Sequence, residues 1–102
     1  MSILEVTEGQ QYQSANEEII YKLTTTNYAS GPATVSVKAY NESTGRDVTA
    51  IVFPTNTPSV IGDVITLSPL KALTKGHIYR VEIKFTAAFN IWEPYFKVKC
   101  EV

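Results

Sequence analysis

The chain has 102 residues, a common size for one domain, and 44% of them are apolar while 19% are charged. Nine basic and ten acidic side chains give a formal charge of −1, which provides no general field for attracting a nucleic-acid backbone. We therefore predict a single domain over residues 1–102 without a nucleic-acid partner. The single cysteine, Cys100, excludes an intrachain disulfide and leaves stability to packing.

The first eight residues, MSILEVTE, contain neither a basic segment nor an apolar run of signal-peptide length. No stretch of the sequence approaches the roughly 18 uninterrupted apolar residues of a membrane-spanning helix. The sequence therefore predicts a soluble product made inside the cell, without a signal peptide and without a membrane partner.

Short segments of strand-like composition follow one another along the first two thirds of the chain. Within residues 34–40 apolar and polar side chains alternate, which is the period of a half-buried strand. The polar residues 41–47 predict a turn, and Pro54 ends the segment that follows it. The strands predicted in this part are residues 3–6, 18–24, 34–40, 48–53 and 64–67.

The strongest alternation lies in residues 79–85, and residues 96–102 repeat it. Five residues, 86–90, separate the first of these strands from the segment leading to the second, so we predict an antiparallel hairpin. Pro94 has no backbone N–H to donate to a neighbouring strand, so either the last strand starts at Tyr95 or Pro94 lies on a free edge. About seven short strands result, which predicts a sandwich or barrel and excludes a parallel α/β sheet.

The segment LTKGHIYRV, residues 73–81, resembles the Leu-x-x-Gly-x-x-Tyr-x-Val pattern that enters the penultimate strand of fibronectin type III and related Ig-like domains. Gly76 can supply a positive φ, Leu73 can cap the core, and the Tyr79 hydroxyl can bond to nearby backbone. The resemblance implies an all-β, Ig-like or fibronectin-like antiparallel sandwich with these three residues as its tyrosine corner. An ordinary turn before an amphipathic strand is the alternative interpretation.

A second resemblance covers the chain from about residue 18 to its end. The segments VSVKAY, DVT, GDVIT, LTKGHIYRVE and WEPYF follow one another as in small tailed-phage and prophage proteins of unassigned role, encoded among virion structural genes. This resemblance implies a virion or virion-assembly protein, located in the virion or in the host cytoplasm during assembly. It carries no catalytic residue over to this chain.

The only histidine, His77, and the only cysteine, Cys100, form the one candidate pair for nucleophilic catalysis. His77 lies at the start of one predicted strand and Cys100 near the end of the other, and antiparallel pairing brings these positions together. Cys100 falls on the apolar face of its strand, however, where a thiol is normally an inert small hydrophobe. The acidic residues are scattered and the glycines stand alone, which favours neither a metal site nor a phosphate-binding loop. The sequence thus predicts no catalytic residue, no metal and no cofactor.

Aromatic residues are the one surplus, with six tyrosines, four phenylalanines and one tryptophan. Exposed rings at the ends of sheets are typical anchors for protein contacts or for stacking on sugars. The candidate partner contacts are Tyr28, Phe89, Trp92 and Tyr95. The alternative for Trp92 is packing over the open end of the sandwich.

Three functions follow as hypotheses. The first is a non-enzymatic structural or assembly module of a phage particle, which contacts other virion proteins or itself through an edge strand and the aromatic loops. The second is a carbohydrate-binding or adhesion module of Ig-like type that uses its exposed rings as stacking platforms. The third is a module of a secreted adhesin, which requires an upstream leader in the gene.

Overall fold

Two β-sheets pack against each other in the computed structural model, which describes residues 2–5, 10–25, 31–87 and 89–101. These ranges contain ten strands and one short helix. The strands are β1 (Ser2–Glu5), β2 (Gln10–Gln13), β3 (Ile19–Thr24), β4 (Ala33–Asn41), β5 (Arg46–Asp47), β6 (Ser59–Ile61), β7 (Val64–Thr66), β8 (Ile78–Ala87), β9 (Asn90–Trp92) and β10 (Tyr95–Cys100). The helix is α1 (Thr49–Val52).

The smaller sheet has the strand order β1-β3-β7-β6, and the larger has the order β2-β10-β8-β4-β5 with β9 also paired to β8. The predicted all-β class is confirmed. Two pairings are parallel, β1 with β3 and β2 with β10, whereas the sequence predicted an antiparallel sandwich. Both involve strands near the N-terminus. β1 lies at the outer edge of the smaller sheet and runs in the same direction as β3, and β2 lies at the outer edge of the larger sheet and runs in the same direction as β10.

The core lies between the sheets and follows from the alternation in β8 and β10. The odd-numbered side chains of β8 from Tyr79 to Ala87 are buried, as are Phe96, Val98 and Cys100 of β10. The smaller sheet contributes Ile19, Tyr21, Leu23 and Ile65. The rings of Tyr21 and Phe96 meet across the core with their centroids 5.0 Å apart. The inward faces predicted for residues 79–85 and for Phe96, Val98 and Cys100 are therefore confirmed, while Val102 lies outside the described residues.

The predicted antiparallel pairing of β8 with β10 is also confirmed, with Tyr95 opposite Glu82 and Lys99 opposite Ile78. The connection between them is more elaborate than the predicted turn over residues 86–90. After Ala87 the chain turns directly back into β9, whose Asn90 is opposite Ala87. The ladder is then interrupted near Pro94, whose carbonyl accepts a 2.9 Å bond from the Ile83 N–H, and β10 starts at Tyr95.

The strand predicted over residues 48–53 is wrong, because Thr49–Val52 is a short helix. The Asp47 carboxylate accepts bonds from the Thr49 N–H (3.0 Å) and hydroxyl (2.7 Å), which turns the chain out of the ladder and lowers the pKa of Asp47. The helix then buries Val52 while Ile51 points to solvent. An apolar run this short fits either a strand or a helical turn.

A buried polar cluster joins the two sheets at β2 and β3. The Gln13 amide donates to the carbonyls of Leu70 (2.7 Å) and Glu17 (3.0 Å), and its oxygen accepts from the Tyr21 hydroxyl at 3.0 Å. Burial, reinforced by the Glu17 carboxylate, raises the pKa of Tyr21 above its ordinary value, so this hydroxyl stays a donor at neutral pH. The cluster therefore ties β2 of the larger sheet to β3 and to the Leu70 segment of the smaller one.

The segment entering β8 is held by Tyr79, which is 2% exposed and accepts a 2.7 Å bond from the Thr74 N–H at its hydroxyl. Leu73 is buried, and Gly76 has a φ of 85° and donates its N–H to the Cys100 carbonyl at 2.7 Å. These three residues therefore surround one turn that joins the start of β8 to the end of β10.

Replacing Tyr79 with phenylalanine is expected to lower the free energy of unfolding by about 1 kcal/mol, because the Thr74 N–H loses its acceptor while the ring stays buried. Urea denaturation followed by circular dichroism measures the loss. Tyr95→Phe is the control, since its side chain is exposed and its substitution should leave stability unchanged. Equal stability of the two variants would contradict this role of the hydroxyl.

Candidate functional site

The outer face of the larger sheet carries the side chains that alternate with the core residues of β4, β8 and β10. The register places them in rows across the strands. One row joins Tyr40, Arg80 and Lys97, and the next joins Lys38, Glu82 and Tyr95. Because the strands are hydrogen-bonded to one another, these side chains project from a fixed backbone.

The centre of this face is a network of opposite charges around Arg80. Its guanidinium lies 3.2 Å from Glu42 and 2.9 Å from Glu82, and it sits over the Tyr40 ring at 5.4 Å from the centroid. Lys97 reaches the same Glu42 at 3.1 Å. Such partly exposed pairs add little stability each, but here they neutralise one another, which leaves the centre polar without a dominant charge.

A shallow depression of about 130 Å³ lies beside this network on the same face. Its lining is polar and consists of Ser36, Lys38, Tyr40, Glu82, Lys84 and Glu93. Sites that enclose a drug-sized ligand usually measure about 300–1,000 Å³ and are mostly apolar. The depression can therefore accept a small polar group at the surface, but it is too small to enclose a drug-sized ligand.

Apolar side chains emerge along the β9 side of the face. Ile91 lies opposite Thr86 and is 69% exposed, and Tyr95 lies opposite Glu82 and is 60% exposed. Phe89, in the turn before β9, is fully exposed. We call Phe89, Ile91 and Tyr95 the β9 strip. An edge of a polar face thus presents one aliphatic and two aromatic side chains to solvent.

The backbone of Phe89 is unusual for its residue type, with a φ of 65°. Positive φ suits glycine, asparagine or aspartate, and hairpin turns of two residues are dominated by these types. A bulky L-residue in this region costs roughly 1–2 kcal/mol. The position therefore holds a large exposed ring at the expense of stability.

The residues that the sequence predicts as partner contacts lie in different environments. Phe89 and Tyr95 are exposed in the β9 strip, while Tyr28 lies outside the described residues. Trp92 is opposite Phe85, packs partly buried against the core and donates its indole N–H to the Ala87 carbonyl at 3.1 Å. This is the packing alternative for Trp92, and its ring is not a free stacking platform.

Sequence reasoning missed Ile91, which lies in a strand of three residues, too short to display a period. It also missed Tyr12 of β2, which is exposed. Ile91 could have been found only by considering it together with its neighbours. Residues 89, 91 and 95 are apolar, and they lie on either side of Pro94, which prevents a continuous β-ladder.

The backbones of His77 and Cys100 meet, since the Cys100 N–H donates to the His77 carbonyl at 3.0 Å. Their side chains, in contrast, lie in different environments. The thiol is fully buried in the core, while imidazole Nδ1 lies 2.8 Å from the amide nitrogen of Asn41. The Asn41 oxygen accepts the N–H groups of Ser43 and Thr44, so its nitrogen is the donor and Nδ1 the acceptor. His77 thus holds the turn after β4.

Within the described ranges, no group of three or more His, Cys, Asp or Glu residues is arranged to hold a metal ion. None of the described helices is long and apolar enough to cross a membrane. Comparison with known proteins adds no identification, because no protein-family model matches the chain and no curated protein is significantly similar to it. The resemblance to phage proteins stays a prediction.

Proposed function

We propose that this protein is a non-enzymatic structural or assembly module that binds another protein through the β9 strip. The observation that carries the proposal is the exposure of Phe89, Ile91 and Tyr95 along one side of a hydrogen-bonded sheet. None of the three is needed to fill the core, and Phe89 occupies a backbone conformation that glycine would adopt more easily.

The surroundings of the strip suit a protein partner. Energetically dominant contacts are commonly aromatic or large apolar anchors surrounded by a polar rim. Here the rim consists of Lys38, Glu82, Lys84 and Glu93, which lie on the same face or beside it. A partner with an apolar groove flanked by polar groups would match this arrangement, with Phe89 entering deepest because it stands at the tip of the hairpin.

We further propose an Ig-like type for the sandwich. Supporting it are the strand orders β3-β7-β6 and β10-β8-β4-β5, which correspond to the two sheets of such domains. The Tyr79 hydroxyl bound to backbone five residues upstream also supports it. The parallel pairing of β1 with β3 and the presence of Val81 where antibody domains have cysteine are departures from the antibody pattern.

The resemblance to proteins encoded among virion genes suggests where the partner should be sought, namely in a phage particle or its assembly intermediates. We expect the wild-type protein to copurify with a product of a gene adjacent to its own. Ile91→Lys should weaken that binding by at least about tenfold, since it places a charge in the apolar strip. Surface plasmon resonance with the purified partner measures the change.

The matched control is Ile51→Lys. Ile51 is similarly exposed but lies in α1, which follows β5 at the opposite edge of the larger sheet. This variant should bind as the wild type does. Equal binding by all three proteins would exclude the β9 strip, and failure of every adjacent gene product to bind would remove the assembly role.

Carbohydrate recognition is a second candidate, favoured by one observation. The exposed ring of Tyr95 is opposite Glu82, which lines the polar depression, so a sugar stacked on Tyr95 could reach hydrogen-bonding groups. Binding on a glycan array that is lost in Tyr95→Ala and retained in Tyr12→Ala would favour this candidate. Absence of binding to any glycan leaves the protein partner as the sole proposal.

A further inference from the structure

Strands β9 and β10 lie in line along the same side of β8. Thr86 of β8 is opposite Ala33 of β4 on one side and opposite Ile91 of β9 on the other, and β10 also lies on the side away from β4. Both strands keep one register with β8, without an inserted residue between them. The Pro94 carbonyl, between the two strands, accepts the Ile83 N–H at 2.9 Å. Residues 90–100 therefore form a single outer strand.

The first half of this strand has backbone groups that no described strand pairs. Because Pro94 bonds inward to β8, alternation turns the N–H and C=O groups of Ile91, Glu93 and Tyr95 away from β8. On that side β2 joins β10 only from Lys97 onward. Pro94 removes no outward donor, since its missing N–H belongs to the β8 side. We call these three outward-facing residues the β9–β10 edge.

The residues of this edge also present their side chains to solvent. Ile91 and Tyr95 belong to the β9 strip, and Glu93 is exposed between them. Glu93 makes no ion pair with any described residue. An added strand therefore gains main-chain hydrogen bonds, covers two apolar side chains and meets one carboxylate at the same place.

We propose that the partner adds an extended segment to the β9–β10 edge, with a lysine or arginine opposite Glu93 and apolar side chains beside Ile91 and Tyr95. This mode of binding rests on the proposed function and specifies the chemistry of the partner. Hydrogen bonds from the edge to the main chain of the segment supply affinity, while its alternate side chains supply specificity. The larger sheet then continues into the partner in line with β2.

Charge favours a different protein over a second copy as the occupant. Two copies related by a two-fold axis pair antiparallel, and the one register that uses all three residues of the edge sets Glu93 opposite Glu93. Like charges directly opposite each other are destabilising, whereas a cation there is favourable. Lys84 lies on the β8 side of Glu93 but forms no ion pair with it, so the carboxylate stays available on the open side.

NMR titration of the full chain with the capped peptide Thr-Val-Thr-Lys-Thr-Val-Thr tests the edge, since this peptide carries a cation between two apolar side chains on one face. The amides of Ile91, Glu93 and Tyr95 should show saturable shifts with a Kd in roughly the millimolar range. The Trp92 amide, which faces β8, should shift less. Methylating the backbone nitrogens of the peptide's valines and lysine should abolish binding, because these are its donors to the edge.

A charge exchange tests the role of Glu93. The wild type should bind the lysine peptide at least about threefold tighter than the same peptide with glutamate in place of lysine. Glu93→Lys should reverse this order. The control is Glu101→Lys, the same change at an exposed residue beyond the end of β10, which should keep the order of the wild type.

Three results would overturn strand addition: no saturable shift at the edge, equal binding of the methylated peptide, or an unchanged peptide order in Glu93→Lys. Protection of the edge amides that rises with protein concentration alone would place a second copy there and also overturn it.

Hydrogen exchange separates this inference from the proposed function. In a complex with an adjacent gene product, the edge amides should exchange more slowly than in the free protein. If the partner binds, Ile91→Lys abolishes that binding, and the edge amides still exchange as in the free protein, the β9 strip acts through side chains alone. The proposed function then stands and strand addition fails.

Discussion

Replacing Gln13 with alanine is expected to lower the free energy of unfolding by about 2–4 kcal/mol, the largest stability effect among the changes considered. Gln13 is 2% exposed and makes three hydrogen bonds, two of which cross to Leu70 and Tyr21 of the smaller sheet. Its loss leaves the Tyr21 hydroxyl without its partner in the interior, where an unsatisfied polar group is costly, and leaves the Leu70 carbonyl with the Ile19 N–H alone. Urea denaturation of the purified variant measures the change.

Two further variants identify the cause. Gln11→Ala, two residues earlier in the same strand and only partly buried, should cost less than about 1 kcal/mol. Tyr21→Phe removes the hydroxyl alone and keeps the ring against Phe96, so its expected cost of about 1–2 kcal/mol lies between the other two. If Gln13→Ala and Gln11→Ala were equally stable, the inter-sheet cluster would not contribute to the fold as described.

Replacing Phe89 with glycine is expected to change binding and stability in opposite directions. Partner affinity should fall by more than about tenfold, because the ring at the hairpin tip is lost. The free energy of unfolding should stay the same or rise by up to about 1 kcal/mol, because glycine adopts a φ of 65° without a Cβ clash. Calorimetric titration and thermal denaturation of the same preparations measure the two quantities.

Phe89→Ala separates the ring from the backbone. It removes the same aromatic contact but keeps a Cβ at positive φ, so it should lose affinity as glycine does without gaining stability. A glycine variant that binds normally would remove Phe89 from the interface. A glycine variant that is strongly destabilised would mean that the exposed ring supports the fold.

Sequence alone predicted the strands with a sustained period of two. β8 and β10 place every second side chain in the core, and the ends of β3 and β4 were predicted to within one residue. Their alternation spans enough residues to distinguish a strand from a helix. The turn before β8 was also foreseeable, because Gly76 is flanked by Leu73 and Tyr79 at fixed offsets.

The short elements could not be predicted in the same way. β2, β6 and β9 have three or four residues each, too few to show a period. The segment 48–53 is apolar enough for a strand, but the Thr49 hydroxyl donates to the Asp47 carboxylate and accepts the Ala39 N–H, and these bonds favour a helical turn. Those bonds depend on β4 lying alongside, which is tertiary information absent from the local sequence.

Only part of the candidate site was predicted, because its remainder also depends on tertiary structure that the local sequence does not contain. Aromatic surplus indicated Phe89 and Tyr95, which are exposed, but it equally indicated Trp92, whose ring turns inward because Trp92 is opposite the buried Phe85. The composition of the chain does not indicate Ile91, which is identified only by its position between Phe89 and Tyr95. Which apolar side chains face solvent depends on the register after Ala87, and the sequence does not determine that register.

Site-specific photo-crosslinking tests the central claim, that the β9 strip is a protein-binding surface, most directly. A benzophenone amino acid placed at Ile91 should form a crosslink to a second, identifiable protein in cells that express the neighbouring genes. The same group at Ile51, equally accessible at the opposite edge of the larger sheet, should not form that crosslink. No crosslink at Ile91, or the same products from both positions, would contradict the account.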